Sequence, residues 1–246
     1  MLKDIYKEIT DYYLIKNHKL TTFVDVFGGS GSVLLNFPND FGKINKIYND
    51  IDSRLYNLMI GLQDDKKREE IKKKYEYALR SREYFNYLKS KQDLDGFEFL
   101  YLLANSFNGD ASSFSINKTI YKNEFSHKFD NAMTNWKYMK NWIIENLDFR
   151  DLIKKYDSEI TFFYLDPPYL TAGKTYKYPF TKQDFIDLKN TMSGVKGKWM
   201  MNESERDFDF IKSVFGKPKL VKKYRNNFLN RFSHLSYRKE GFWDNF

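Results

Sequence analysis

Apolar and polar positions change rhythm along the chain, and each change marks a different kind of structure. From Asp4 to Asn17 the apolar side chains Ile5, Ile9, Tyr12 and Tyr13 recur at the spacing of one helix face. Thr22 to Phe27 is a short apolar run that reads as a buried strand, and it passes into Gly28-Gly29-Ser30-Gly31 and a following helix. Lys46 to Asn49 reads as a second short strand ending at Asp50, after which Ser53 can cap a helix running through Leu62. The opening is therefore β-α-β.

From Gln63 to about Asn146 the rhythm becomes that of long, polar, heavily charged helices, broken at Phe107-Asn108-Gly109-Asp110 and at the Ser-rich stretch Ser112 to Ser115. Alternation then resumes with strands at Leu147–Phe149 and Ile160–Leu165, a helix from about Lys182 to Thr191 and a strand at Lys198–Met201. A helix from Asp207 to Phe215 and strands near Leu220–Tyr224 and Ser233–Arg238 follow. Strands alternating with helices on both sides of a helical stretch predict a doubly wound α/β core, 1–62 and 147–246, interrupted by a helical insert, 63–146.

Composition narrows the chemistry. The 246 residues suffice for a core domain carrying a smaller insert. Met1 to Lys19 mixes charges with apolar residues, unlike a secretory leader, and no apolar run approaches the roughly 20 residues that span a membrane. A soluble, cytoplasmic protein with no membrane association is the expectation. Cysteine is absent, which excludes disulfides, thiolate metal sites and thiol nucleophiles. His18, His127 and His234 are far apart with no ligand spacing, so no metal is expected. A net charge of +8 favours a polyanionic partner, because each neutralised phosphate releases condensed counterions.

Two stretches carry candidate chemistry. The glycine turn lets backbone approach a ligand at the carboxyl end of a strand, where open α/β sheets bind ligands, and Asp50 is placed to accept from ribose hydroxyls. Together they suit a nucleoside, although a tight turn and a capping Asp explain the same residues. The glycines form neither G-x-G-x-x-G nor a Walker loop, which weighs against NAD and ATP. The second stretch is Phe162-Phe163-Tyr164-Leu165-Asp166-Pro167-Pro168-Tyr169. An apolar strand delivers a carboxylate, two prolines withhold N–H donors while leaving carbonyls to accept, and an aromatic ring follows. Acceptors beside a stacking face suit a planar ligand bearing an amine, though Asp-Pro-Pro is also a good turn.

In their order, Phe23-Val24-Asp25-Val26-Phe27-Gly28-Gly29-Ser30-Gly31, Tyr48-Asn49-Asp50-Ile51 and Asp166-Pro167-Pro168-Tyr169 resemble the Dam-like (D12 class, alpha group) adenine-N6 DNA methyltransferases. Phe99-Leu100-Tyr101-Leu102, Ser106-Phe107-Asn108-Gly109, Asp148-Phe149 with Asp151-Leu152-Ile153, and Glu240-Gly241-Phe242-Trp243-Asp244-Asn245-Phe246 extend the likeness over almost the whole chain. The resemblance implies a Rossmann-like class I methyltransferase core with an inserted helical target-recognition domain. It also implies methyl transfer from S-adenosyl-L-methionine to a flipped adenine in double-stranded DNA. Carried over by position, Phe27, Gly28, Gly29, Ser30 and Gly31 surround the methionine part of the cofactor, with Asp50 and Ile51 at its ribose and Asp148 and Phe149 at its adenine. Asp166 and the Pro167 carbonyl accept from the target amine, and Pro168 and Tyr169 complete the motif, with Tyr169 stacking on the flipped base.

The likeness departs in two places. Met1 to Leu20 lacks the Gly-containing segment ending in lysine that such proteins carry, which keeps open a catalytically impaired or partner-dependent DNA-binding subunit. Asp110-Ala111-Ser112-Ser113-Phe114 lacks an arginine that relatives often have there, so the recognition sequence is left open, as is an RNA or protein-amide substrate. For DNA, the strip Lys217 to Arg231 holds six basic and no acidic residues, giving Lys222, Lys223 and Arg225 as candidate phosphate contacts. Asn108, Ser112 and Ser113 are the candidates for base readout. The expected state is a monomer or weak dimer, with a protein partner open and with restriction-modification, phage protection and replication control all compatible.

Overall fold

A computed structural model describes residues 1–15, 18–106, 109–115, 124–171, 177–225 and 237–246. The seven strands are β1 (Thr22–Asp25), β2 (Asn45–Asn49), β3 (Trp142–Glu145), β4 (Thr161–Leu165), β5 (Lys198–Ser204), β6 (Leu220–Arg225) and β7 (Tyr237–Asp244). They form one sheet in the order β3-β2-β1-β4-β5-β7-β6. β1 runs parallel to β2 and β4, β4 parallel to β5, and β7 antiparallel to both β5 and β6. The order β3-β2-β1-β4-β5 is that of a doubly wound nucleotide-binding sheet, and β7 departs from it by entering between β5 and β6. All five residues of β4 are buried, as a strand covered on both faces should be.

The chain divides into two compact units, 1–51 with 147–246 and 52–146. The sheet unit carries α1 (Leu2–Thr10), which continues as a π-helical stretch Asp11–Ile15, then the single turn α2 (Ser32–Leu35). Beyond the insert lie α8 (Phe149–Tyr156), α9 (Lys182–Ser193) and α10 (Phe208–Phe215). Its core joins Val24, Val26, Ile47, Phe163, Leu165 and Met201 from the sheet to Leu152, Leu188 and Ile211 from the helices. The unit 52–146 holds α3 (Ser53–Gln63), α4 (Asp65–Glu76), α5 (Arg82–Ser90), α6 (Gly96–Ala104) and α7 (Glu124–Met139). Among the described residues no helix is long and apolar enough to cross a membrane.

Four sequence expectations are corrected. The insert begins at Asp52 rather than Gln63, because α3 packs on α4, α6 and α7, and Asn57 Nδ2 donates to the Leu94 carbonyl at 3.1 Å. Asp52, not Ser53, caps α3, accepting from the Arg54 N–H at 3.0 Å. The third strand is Trp142–Glu145, whereas Leu147–Phe149 leads into α8, whose buried Phe149, Leu152 and Ile153 share one helical face. The final strand runs from Tyr237 to Asp244, further along than expected, and residues 233–236 lie outside those described.

Candidate active site

β1 ends at Asp25, and the chain turns through Val26, Phe27 and the glycines at the carboxyl edge of the sheet. A Cβ on Gly28 would sit 2.3 Å from the Tyr48 ring, so any side chain there would displace the end of β2. Gly29 (φ 50°) and Gly31 (φ 71°) occupy the left-handed region that glycine enters without Cβ strain. The turn is tied to β2 by Gly28 N donating to the Asn49 carbonyl (2.7 Å) and Tyr48 Oη donating to the Gly29 carbonyl (2.7 Å). Asp50 Oδ2 accepts from the Gly29 N–H at 2.9 Å, so this carboxylate is an anchor of the glycine turn. Ser30 is exposed, and Gly31 precedes α2.

Asn49, which the sequence reading passed over, staples three segments. Its Nδ2 donates to the carbonyls of Val26 (3.0 Å) and Leu147 (3.1 Å), and its Oδ1 accepts from Leu147 N (2.9 Å). That staple brings the start of α8 beside the glycine turn. A cavity of about 120 Å³ opens there, lined by Phe27, Ile51, Asp148, Phe149, Pro168 and Phe180 among others. Residues of the glycine turn, the β2 end and the proline turn thus face one cavity. Asp148 caps α8 through the Arg150 N–H (2.9 Å), and the Arg150 guanidinium bridges Asp148, Asp184 and Asp187, tying α8 to α9. Phe180 meets Phe27 edge-on at 5.4 Å between ring centroids.

β4 lies beside β1 in register, Asp25 opposite Tyr164, and so carries Asp166 to the same edge of the sheet. Asp166 is half-buried, Pro167 buried, and Pro168 and Tyr169 half-buried. Asp166 Oδ1 accepts from Asn202 Nδ2 of β5 at 3.1 Å, and Asn202 Oδ1 accepts from the fully buried Tyr164 hydroxyl. Burial pushes the Asp166 carboxyl up to about 6, against the opposing pull of the Asn202 hydrogen bond and the Arg238 charge.

Three further carboxyls at this edge were not singled out from the sequence. Asp25 is 1% exposed, and neither of its side-chain oxygens has a hydrogen-bond partner. Burial, then the charges of Asp166 and Asp50, hold it well above the usual carboxylate range. Glu203 and Glu240 are fully buried, each with one unpartnered oxygen. Burial is the main cause that pushes Glu203 up to about 9 and Glu240 up to about 7, and Arg238 opposes the shift at Glu240. Nothing in a sequence discloses that a carboxylate will lack a partner.

The predicted DNA contacts fall in both units: Lys222, Lys223 and Arg225 on β6, Ser112 and Ser113 in the unit 52–146. Lys222 pairs with Asp4, and Lys223 sits over the Tyr237 ring with its ammonium 4.4 Å from the centroid. Arg225 lies at the end of β6. Ser112 and Ser113 are exposed on a loop in which Asp110 accepts from Ser112 N (2.8 Å) and Oγ (2.6 Å), and Asn108 lies outside the described residues. Among the described residues no group of three or more His, Asp or Glu side chains converges as a metal site.

A Rossmann-like α/β sheet with this glycine turn and Asp-Pro-Pro-Tyr turn defines a methyltransferase, and residues 3–227 match the family of D12 class N6 adenine-specific DNA methyltransferases. The chain belongs to that family and is an enzyme that methylates adenine in DNA. It is 27% identical over 198 residues to the Type II methyltransferase M.MjaIII of Methanocaldococcus jannaschii, a match covering 70% of this chain and 67% of that protein.

Proposed function

We propose that the chain takes its methyl group from S-adenosyl-L-methionine and delivers it to N6 of an adenine flipped out of double-stranded DNA at a specific site. The single observation that carries this reading is that Phe27, Ile51, Asp148 and Pro168 line one cavity, so that donor-binding and proline-turn residues meet. At about 120 Å³ the cavity is below the ~300 Å³ of pockets that hold a whole drug-sized ligand, and Phe27, Phe149 and Phe180 in its wall suit it to part of a planar group. Asp25 supports a cationic donor, because a buried carboxylate with both oxygens unsatisfied is costly until a cation or donor group meets it. When bound, S-adenosyl-L-methionine supplies an electrophilic methyl group on a sulfonium. The glycine turn would lie along its methionine part, Asp50 would accept from its ribose, and Asp148 and Phe149 would flank its adenine.

Acceptor activation falls to the proline turn. The N6 lone pair of adenine is delocalised into the ring, and acceptors on its N–H bonds favour localisation and stabilise the positive charge that develops on nitrogen. The Asp166 carboxylate and the Pro167 carbonyl would supply them, while Tyr169 offers a stacking face. An adenine inside a duplex cannot reach such a turn, so the base must be extruded. The helical insert 52–146 would select the target sequence.

The test is transfer of labelled methyl from S-adenosyl-L-methionine to adenine-containing duplex DNA, with Asp166→Ala alongside. Loss of a preorganised acceptor at the reacting group should lower kcat by about a hundredfold or more, with calorimetric cofactor affinity retained. Wild-type kcat/KM should rise with pH through about 6, as the Asp166 carboxyl of the free enzyme loses its proton. Undiminished transfer by Asp166→Ala would remove Asp166 from its role.

A further inference from the structure

Asp166 is aimed as well as placed. Its Oδ1 is held by Asn202 Nδ2 at 3.1 Å, and the carboxamide that holds it is held in turn by the Tyr164 hydroxyl. Tyr164 and Asn202 are both completely buried, on neighbouring parallel strands with Tyr164 opposite Met200. A phenol has one hydrogen to donate, and here it goes to Asn202 Oδ1. The carboxamide can then present only its N–H bonds to Asp166, since a flipped amide would set its carbonyl against the carboxylate and leave the phenol hydrogen facing an NH₂ group.

We propose that Asn202, with its orientation locked by Tyr164, is a positioning residue for methyl transfer: it occupies Oδ1 of Asp166 and leaves the other oxygen to take the target amine. The proposal rests on the reading of Asp166 as the acceptor for that amine. No covalent step is involved; Asn202 fixes a direction and favours the ionised carboxylate by donating to it. That donation matters because burial pushes the other way. Asp25 faces Asp166 from β1, with Asp50 beyond it, and Tyr164 and Tyr169 face it from β4 and its turn. Glu203 on β5 and Glu240 on β7 add further acid, and Arg238 on β7 is the cation that opposes them.

The experiment is a double-mutant cycle on the full chain, using Asn202→Ala, Tyr164→Phe and the pair, read as kcat/KM against pH on duplex DNA, with melting temperature and calorimetric cofactor affinity as controls. Asn202→Ala should move the rising limb of the profile upward by about one pH unit, a loss of about tenfold on the acid side that shrinks at alkaline pH. Tyr164→Phe removes one oxygen and should move the limb the same way by less. The pair should be no worse than Asn202→Ala alone, because Tyr164 acts only through Asn202. An unmoved limb, or losses that multiply in the pair, would overturn the proposal. Where Asn202→Ala fails to fold, Tyr164→Phe decides by the limb alone. An active Asp166→Ala enzyme would instead overturn the acceptor reading, which separates the two failures.

Discussion

In the unit 52–146, carboxylates that stand beside helices are put to work holding those helices. Asp52 caps α3 and pairs with Arg54, Asp64 caps α4, and Asp65 pairs with Arg68. Asp95 and Glu98 form a reciprocal capping box at α6 while Lys74 and Lys91 neutralise them. Among the described residues, none of this unit's carboxylate oxygens is buried without a partner. The sheet unit does the same at its helices, where Arg150 gathers three aspartates, but at the carboxyl edge of its strands Asp25, Glu203 and Glu240 keep buried oxygens unsatisfied. An unsatisfied buried polar group costs ~1–3 kcal/mol, so such atoms persist where binding or chemistry uses them. The contrast teaches where to look: among the described residues the buried carboxyl oxygens left without a partner gather at the edge that carries Asp166.

Among tests of this contrast, the largest effect on binding is expected from Asp25→Asn. It removes a charge that a cationic donor would meet, which at ~1.5–3 kcal/mol for a charge-assisted hydrogen bond weakens S-adenosyl-L-methionine by about tenfold to a hundredfold. Folding stability should hold or rise, since burial and the charges of Asp166 and Asp50 already oppose ionisation of Asp25. The sign with pH follows. A bound cation pulls the Asp25 proton off, so wild-type affinity tightens as pH rises, and calorimetry in buffers of different ionisation heat should detect the released proton. Equal affinity and equal slope in the Asn variant would place the cation elsewhere.

Asp95→Ala probes the other side of the comparison. It strips the α6 cap and should cost ~1 kcal/mol in urea unfolding, while the loss of the half-exposed Lys74 pair adds little. A null result would mean that the capping box is redundant.

Glu203→Gln probes the same edge through folding stability alone. The Glu203 carboxyl keeps its proton up to about 9 in the folded state, whereas in the unfolded chain it ionises near 4.5. Stability therefore falls as pH rises between those values, and the Gln variant flattens that fall. At pH 8 its melting temperature should exceed that of wild type, by a margin that widens as pH rises from 5 towards 8. A slope unchanged by the substitution would mean that Glu203 is already ionised in the folded protein.

How much of this was legible follows from range along the chain. Local signals placed the glycine turn, Asp50 and the strand into Asp166, because each is a short apolar run ending in residues with distinctive backbone demands. The α8 boundary was missed although Asp148 followed by Phe149, Leu152 and Ile153 is a cap and a helical face; the competing apolar Leu147 drew the strand there. Asn49, Asn202 and Phe180 could not be found, since their significance arises only when the topology brings β2 to Leu147, β5 to β4, and Phe180 to Phe27. Lys222 read as a free cation until Asp4, 218 positions away, proved to be its partner.

The position of β7 has a consequence for how the molecule is made. It follows β6 in the chain yet lies between β5 and β6, and among the described residues β6 pairs in the sheet only with β7. As a polypeptide emerges from a ribosome, the segment Leu220–Arg225 must wait, unpaired, until Tyr237–Asp244 has appeared and slotted in ahead of it. The parallel strands that carry the glycine turn and Asp166 need no such wait, and can assemble while the last hairpin is still being translated.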